Sequence, residues 1–227
     1  MSIKVIGAGF PRTGTTTLKS ALQTLDYNET YHFKDLIAKP DKLKHWKELE
    51  NNGTTDFQAL FNGYEATVDF PGYPYYKILM KQYPDAKVIL SKRDFDKWHE
   101  SVNKTIWKAG PQNIFAKIVL LIKMSFNQNL KKTFKCIKFM RNTFLIKQFG
   151  GQFAKKDIAK KVFEKHIEDV ISYVPKDKLL VFEPSEGWQP LCEFLNHPIP
   201  KEDFPHLNKK ENFHQMVKGM IKDASKG

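Results

Sequence analysis

Three glycines and a run of threonine hydroxyls near the start of the chain form a pattern that could hold a phosphate or sulfate group. Gly7, Gly9 and Gly14 follow the first apolar residues, where the backbone could curl so that successive N–H groups point at one anion. A helix predicted to begin at about Thr15 would add the positive end of its dipole. The stretch 3–25 is therefore predicted to form a strand, an anion-binding loop and a helix.

The residues of this loop disfavour two common nucleotide sites. The spacing of Gly9 and Gly14 matches the start of a triphosphate-binding loop, G-x-x-x-x-G, but Thr15 stands where that motif requires lysine. A dinucleotide site would need a third small residue at the position that Arg12 occupies, and a side chain of that size would push a pyrophosphate away from the helix. The loop instead suits an anion smaller than a metal-bound triphosphate.

The loop resembles the donor loop of the sulfotransferases, which reads P-[KR]-[ST]-G-T-T. The matching residues, with the threonine that follows them, are Pro11, Arg12, Thr13, Gly14, Thr15, Thr16 and Thr17. The resemblance implies that they cradle the phosphosulfate of 3′-phosphoadenosine 5′-phosphosulfate (PAPS), and that Arg12 is catalytic because it stabilises charge in the transition state. The structural alternative is that Arg12 is a surface residue in a turn and that the threonines cap the helix. Capping, however, needs only one hydroxyl.

A second pair of residues follows the clearest predicted strand, residues 86–91. Arg93 comes two residues after this strand, and Ser101 lies eight residues later on a helix that Asp94 is predicted to cap. On its own, an arginine at the end of a strand is common. In the sulfotransferases the same spacing after the same kind of strand binds the 3′-phosphate of PAPS, so the resemblance implies that role for Arg93 and Ser101.

Two residues are candidates for the base that takes a proton from the acceptor. The stretch TVDFP stands where the better-known cytosolic sulfotransferases carry K-T-H-L-P, so Asp69 replaces the expected histidine; one branch of the family resembles this chain in its D-x-P-G stretch. An aspartate accepts such a proton poorly unless burial raises its pKa, and Arg12 would lower it. Asp69 is the first candidate for the base and His32 is the second. The structural alternative is that Asp69 orients the side chain of Arg12 and takes no proton.

The predicted strands and helices alternate along the chain and would bring these residues together. The strands are predicted at 3–6, 31–33, 66–70, 86–91 and 178–182, and the helices at 15–25, 42–51, 75–82, from 95 onward, 155–173 and 188–195. This alternation predicts an α/β fold with a parallel sheet and helices on both faces, and the resemblance implies the three-layer P-loop fold. Ligands of such sheets bind at the carboxyl ends of the strands, where the loop, Asp69 and Arg93 would lie.

The formal net charge of +12 lies in one segment. No acidic residue occurs between Glu100 and Asp157, where the basic residues are Lys104, Lys108, Lys117, Lys123, Lys131, Lys132, Lys135, Lys138, Arg141, Lys147, Lys155 and Lys156. We predict one domain over 1–227, with a basic helical lid inserted at about 104–150. A solvated helical face and a surface for an anionic membrane or acidic acceptor are the alternatives. Nucleic acid is disfavoured, because no motif that reads bases accompanies the charge.

Further predictions concern the end of the chain and its partners. Asn208 and Lys209 match the tail that returns to the 3′-phosphate in relatives, although they could be surface residues. The two cysteines are far apart in the sequence and no signal peptide is recognised, which predicts reduced thiols in a cytoplasmic protein. The longest apolar run is too short for stable insertion in a membrane. We expect no metal, since no His/Cys cluster is present. The acceptor is predicted to be a small apolar or aromatic molecule. The sequence does not predict the oligomeric state.

The predicted function is therefore transfer of a sulfuryl group from PAPS, which leaves 3′,5′-diphosphoadenosine, to a hydroxyl or amine of a small molecule. Two alternatives remain open. A P-loop small-molecule kinase would use magnesium and ATP, although Thr15 stands at its lysine position. A non-catalytic protein that binds anions or a membrane surface would use the basic segment instead.

Overall fold

The computed structural model of the protein describes residues 2–27, 29–108 and 113–205. In this part of the chain a parallel sheet has the strand order β2-β3-β1-β4-β5. Its strands are β1 (Val5–Gly7), β2 (Thr30–Tyr31), β3 (Ala66–Thr67), β4 (Lys87–Ser91) and β5 (Leu179–Phe182). The predicted α/β fold with a parallel sheet is confirmed.

The helices occupy the connections between the strands and the segment after β5. Their bounds are α1 (Thr15–Thr24), α2 (Phe33–Ala38), α3 (Leu43–Asn52), α4 (Phe57–Leu60), α5 (Tyr76–Gln82), α6 (Phe95–Val102), α7 (Ile114–Phe126), α8 (Gln128–Arg141), α9 (Lys156–Tyr173) and α10 (Trp188–Leu195). Short 3₁₀ turns cover Pro40–Lys42, Tyr73–Tyr75, Lys176–Lys178 and Pro184–Glu186, and π-helical turns cover Asn103–Trp107 and Asn142–Gln148. None of the helices in the described part of the chain is long and apolar enough to cross a bilayer.

Alternating side chains of the strands build a separate core on each face of the sheet. Val5 and Ile89 join one core, which α1 and α10 complete. Ile6 and Val88 point to the other face and join a larger core with residues of α2, α3, α5, α6, α8 and α9. Helices thus cover both faces, in the three-layer arrangement of a P-loop-like fold.

The larger core contains an aromatic cluster that supports the loop after β1. Phe10 is 1% exposed. Its ring centroid lies 5.3 Å from that of Trp98, 5.6 Å from that of Phe163 and 4.3 Å from that of His166. Helices α6 and α9 therefore hold the start of the loop by packing, before any polar contact is considered.

The prediction of a strand over 31–33 is wrong at its end. β2 ends at Tyr31, and His32 is the N-cap of α2. Its ring Nδ1 accepts a hydrogen bond from the backbone N–H of Lys34, while Asp35 accepts one from the backbone N–H of His32. This reciprocal capping pattern begins a helix where the aromatic residues had indicated a strand.

The strand predicted at 66–70 is also shorter than expected. β3 ends at Thr67, and the backbone of Asp69 has a φ of 66°. A strand cannot continue through that conformation. Asp69 consequently lies in the turn after β3, beyond the edge of the sheet.

The basic segment folds as a π-helical turn, α7, α8 and a second π-helical turn. Its function as a lid stays a prediction, as does the assignment of the whole chain to one domain. Asn208 and Lys209 lie outside the described residues.

Candidate active site

The parallel strands bring the predicted site residues to one edge of the sheet. The glycine-rich loop follows β1, His32 follows β2, Asp69 comes two residues after β3, and Arg93 comes two residues after β4. Because all described strand pairs are parallel, these four connections leave the sheet on the same side. Hydrogen bonds between them, described below, show that they meet.

Four backbone carbonyls of the loop accept hydrogen bonds from side chains. The donors and acceptors are His166 Nε2 and the Ala8 carbonyl at 2.8 Å, Thr13 Oγ1 and the Phe10 carbonyl at 2.7 Å, Trp98 Nε1 and the Pro11 carbonyl at 2.9 Å, and Arg93 Nη1 and the Arg12 carbonyl at 3.2 Å. An anion is repelled by carbonyl oxygens and attracted by N–H groups. Carbonyls that already accept hydrogen bonds oppose the binding of an anion less than free carbonyls would.

Two glycines give the loop its path. A side chain at Gly9 would place Cβ 2.1 Å from Ser91 Oγ and 2.5 Å from the Ser91 carbonyl oxygen, so only glycine lets the loop cross β4 this closely. Gly14 has a φ of 94° and begins α1 without a side-chain cap. At α6, by contrast, the carboxylate of Asp94 accepts the first-turn N–H of Lys97. The N-cap residue of α1 thus supplies no side chain that would compete with an anion.

The hydroxyl of Thr13 points into the protein. It lies 2.7 Å from Ser91 Oγ as well as from the Phe10 carbonyl, and Thr13 is 2% exposed. These contacts fasten the loop to β4. Arg12, the preceding residue, has a φ of 73°, which is unusual for arginine and costs backbone energy of roughly 1–3 kcal/mol.

The loop arginine contacts the residues of the second motif. Arg12 Nε donates a hydrogen bond to Ser101 Oγ at 3.1 Å, although the two residues are 89 positions apart. Arg93 reaches back to the Arg12 carbonyl, as described above. Burial lowers the pKa of Arg12, Asp69 opposes that shift, and Arg93 adds to it. Two guanidinium groups held this close make the site strongly positive and suited to an anionic ligand.

Asp69 lies on the other side of the loop, against the first turn of α1. Thr15 Oγ1 donates a hydrogen bond to Asp69 Oδ1 at 2.9 Å. His32 Nε2 lies 3.5 Å from Asp69 Oδ2, from Thr15 Oγ1 and from Thr16 Oγ1. The two predicted bases are therefore neighbours, joined by the threonines of the loop.

The hydrogen bonds of His32 assign its proton. Nδ1 accepts the backbone N–H of Lys34 at 3.2 Å, so the neutral ring carries its hydrogen on Nε2. Burial, followed by the charges of Lys34, Lys19 and Arg12, lowers the pKa of His32 well below its usual value. His32 is consequently neutral near pH 7 and presents an N–H group, with no lone pair for a proton, toward Asp69.

Burial has the opposite effect on Asp69. Burial raises the pKa of this carboxyl to about 6. Hydrogen bonds from Thr15 and from the backbone of Phe70 and Phe33, and the charge of Arg12, lower the pKa but do not cancel this effect. The sequence could not decide between the lowering effect of Arg12 and the raising effect of burial. In the structure burial is the larger effect. The carboxylate is ionised at neutral pH yet basic enough to accept a proton.

Two lysines near His32 were not recognised in the sequence. Lys34, on the first turn of α2, is half-buried, and burial together with Lys19 lowers its pKa while Asp69 opposes the shift. Lys19 Nζ lies 2.6 Å from Asp35 Oδ2. The capping sequence His32-Phe-Lys-Asp35 was the signal that could have revealed α2 and, with it, the position of Lys34.

The described residues bear on the expected absence of a metal and on the predicted acceptor. Among them, no group of three or more His, Cys, Asp or Glu side chains is arranged to hold a metal ion. The ring of Tyr73 is buried, and its hydroxyl donates to Gln148 Oε1 at 2.5 Å. An apolar or aromatic acceptor stays a prediction.

Comparisons with known proteins agree with this geometry. A family model described as "Sulfotransferase domain" matches residues 4–213. The chain is also similar to the Ava biosynthesis cluster protein M of Aspergillus versicolor, with 28% identity over 221 residues, which cover 90% of this chain and 80% of that protein. The range of the family match includes every residue assigned above to the candidate site.

Proposed function

Because the chain belongs to the sulfotransferase family, we propose that it transfers a sulfuryl group from PAPS to a hydroxyl or amine of a small molecule. The observation that supports the donor most is the contact of Arg12 with Ser101 and Arg93. PAPS differs from ATP in carrying a phosphate on the 3′ position of the ribose. A site for it needs an anion-binding loop and a second cation from elsewhere in the chain, and Arg93 meets that need.

In this proposal the loop and the N-terminus of α1 bind the phosphosulfate. The backbone from Pro11 to Thr17 surrounds the anion, and Arg12 supplies the charge that stabilises the leaving phosphate. The hydroxyl of Thr13 keeps the loop on β4, since it is already bonded to Ser91. Arg93 and Ser101 bind the 3′-phosphate, and Asn208 and Lys209 are proposed to join them there.

Asp69 is the proposed base. Its carboxylate takes the proton of the acceptor as the acceptor oxygen or nitrogen bonds to sulfur. The electron pair of the breaking S–O bond stays on the 5′-phosphate of the donor product. The N–H of His32 and the hydroxyl of Thr15 orient the carboxylate. Asp69 is preferred to His32 because the assigned tautomer of His32 has no free lone pair facing the site.

The name of the Aspergillus versicolor relative refers to a biosynthesis cluster, which supports a small molecule as the acceptor. Phosphoryl transfer from ATP is the competing reaction. It is disfavoured because Thr15 stands at the lysine position of a triphosphate loop, and its hydroxyl is hydrogen-bonded to Asp69.

Ligand-dependent thermal stability tests the donor. We expect 3′,5′-diphosphoadenosine to raise the melting temperature, and ATP with magnesium or AMP to raise it far less, because neither has the 3′-phosphate. Arg93→Ala should reduce the shift from 3′,5′-diphosphoadenosine toward that from AMP, since a charge-assisted contact is worth about 1.5–3 kcal/mol. Lys97→Ala, an exposed lysine on α6, is the matched control and should keep the full shift.

Two results would contradict the proposed donor. Stabilisation by ATP with magnesium but not by 3′,5′-diphosphoadenosine would favour the kinase. Absence of any nucleotide effect would favour a protein that binds other anions. If the donor binds, turnover of PAPS by the unmodified protein and loss of turnover in Arg12→Ala test the reaction itself.

A further inference from the structure

Helix α7 leaves an apolar face exposed to solvent. With about 100° of rotation per residue, five large side chains fall within a single arc of about 100°. They are Phe115, Ile118, Val119, Ile122 and Phe126, and each is between 46% and 89% exposed. Leu120 and Met124, on the opposite side of the helix, are partly buried. We call the five residues the apolar face of α7.

This exposure is concentrated in one place. Twelve large hydrophobic side chains are exposed in the described part of the chain, and seven of them belong to α7. These seven are the apolar face together with Ile114 and Leu121, which flank it. The other five are Ile146, Ile171, Tyr173, Val181 and Ile199. Single exposed hydrophobic residues are normal, but a contiguous group marks an interaction site.

The helix that follows α7 carries positive charge on its exposed side. α8 packs against α7, and Lys131, Lys135 and Lys138 recur along α8 at helical spacing on its exposed side. We call these three residues the lysine stripe. None of them forms an ion pair with another described residue, whereas Lys132, also on α8, lies 3.0 Å from Asp41 in the turn Pro40–Lys42. No acidic residue between positions 101 and 156 offsets the stripe.

We infer that the apolar face of α7 and the lysine stripe of α8 bind the surface of a membrane that contains anionic lipid. An apolar helix face inserts among the acyl chains at the interface, and lysines beside it attract the lipid headgroups; this combination is typical of helices that lie in the membrane plane. The inference concerns a surface outside the candidate active site and does not depend on the proposed reaction.

The charges argue against two other occupants of this surface. A second copy of the chain carries the same net charge of +12 and would bring an identical lysine stripe toward the first. The segment 206–227, outside the described residues, has five lysines against two acidic residues and therefore the same sign of charge. An anionic bilayer offers both the opposite charge and an apolar interior.

Sedimentation with vesicles tests the inference. The full chain should pellet with phosphatidylcholine vesicles that contain phosphatidylserine, more than with vesicles of phosphatidylcholine alone, and less as sodium chloride is added. Replacing the lysine stripe by glutamine (Lys131→Gln, Lys135→Gln and Lys138→Gln) should lower the partition coefficient about 100-fold, because each lysine contributes about fivefold. Ile122→Ser combined with Phe126→Ser should lower it at least tenfold, roughly the effect of losing two interfacial apolar side chains.

Matched controls separate this surface from general charge and hydrophobicity. Lys161→Gln, Lys176→Gln and Lys201→Gln remove the same charge from exposed positions elsewhere, and Ile171→Ser with Ile199→Ser removes two exposed isoleucines. Both controls should bind like the unmodified chain, and circular dichroism should show that every variant is folded. Equal binding to both kinds of vesicle, or equal loss in variants and controls, would overturn the inference. The inference would also be overturned if the chain did not bind vesicles and α7 were instead required for dimerisation or for a complex with an acidic protein.

Discussion

Asp69 combines two features that work against stability. The residue is only 6% exposed, and its backbone has a φ of 66°. Burying a charge and holding a residue in the left-handed region both cost free energy, and such costs are concentrated at functional sites. At the residue scale, the proposed chemistry depends on this one carboxylate and on the pKa that burial gives it.

Asp69→Asn should lower kcat by about 10²–10⁴-fold, because the amide cannot accept the proton of the acceptor. In the unmodified protein kcat/KM should fall as the pH drops below about 6, where the buried carboxyl becomes protonated. Steady-state rates across pH would show both effects. Asp85→Asn, at an exposed position, is the control and should behave like the unmodified protein. Near-normal turnover in Asp69→Asn would show that another group is the base.

The same substitution should stabilise the fold at neutral pH. The pKa of Asp69 in the folded protein, about 6, lies above the ordinary value of 3.8, so the folded state binds the proton more tightly than the unfolded state does. The contribution of this group is therefore fully present below about pH 4 and is lost as the pH rises through about 6. Asn removes that loss.

Denaturant unfolding at pH values below, within and above this window would measure the effect. The free energy of unfolding of Asp69→Asn, relative to the unmodified protein, should increase through the window by about 1–3 kcal/mol. A difference that does not change with pH would show that Asp69 is not buried as a titrating carboxylate.

At the scale of the elements, the active-site loop depends on its neighbours for its shape. Helix α6 supplies the indole of Trp98, α9 supplies His166, and the segment after β4 supplies Arg93; each binds a different carbonyl of the loop. The loop sequence allows the required path, because it has glycine at the close contacts. These three elements select that path among the alternatives.

One strand beside the site contains a polar group that lacks a partner. Thr67 in β3 is fully buried, and its hydroxyl makes no hydrogen bond with the described residues. Thr67→Val should therefore raise the free energy of unfolding by about 1 kcal/mol without reducing turnover. Thr30→Val in β2 is the control, since Thr30 is also fully buried but donates to the Tyr27 carbonyl, and it should give no gain. Thermal or urea unfolding of the three proteins compares them. A loss of stability in Thr67→Val would mean that the hydroxyl has a partner, such as a buried water.

At the scale of the whole molecule, charge is distributed unevenly around the active site. The chain has a net charge of +12, and four of its basic residues lie at or near the candidate active site. They are Arg12, Arg93, Lys19 and Lys34. A positive field of this kind attracts an anionic nucleotide over distances of about a Debye length, roughly 10 Å at moderate salt. The same charge would draw the protein toward an anionic membrane.

The association rate of 3′,5′-diphosphoadenosine should fall by roughly tenfold between low and physiological salt, because counter-ions screen the field. Stopped-flow binding at several concentrations of sodium chloride would measure it. The dissociation rate should change less, since it reflects contacts inside the site. An association rate that is independent of salt would show that the charge of the whole molecule does not steer the ligand.

The sequence by itself determined the number and order of the strands, although not where β2 and β3 end. It also determined the longer helices and the loop after β1, since these follow from local periodicity, glycine positions and capping residues. It missed α2 and α4, which have only six and four residues. So short a segment shows no hydrophobic periodicity, and whether it forms a helix depends on a single N-cap residue. The tertiary structure alone decided the chemical state of the site. The pKa of Asp69, the tautomer of His32 and the contact of Arg12 with Ser101, 89 positions away, depend on groups from different elements. Burial and charge act through space, so they are fixed only when the chain has folded.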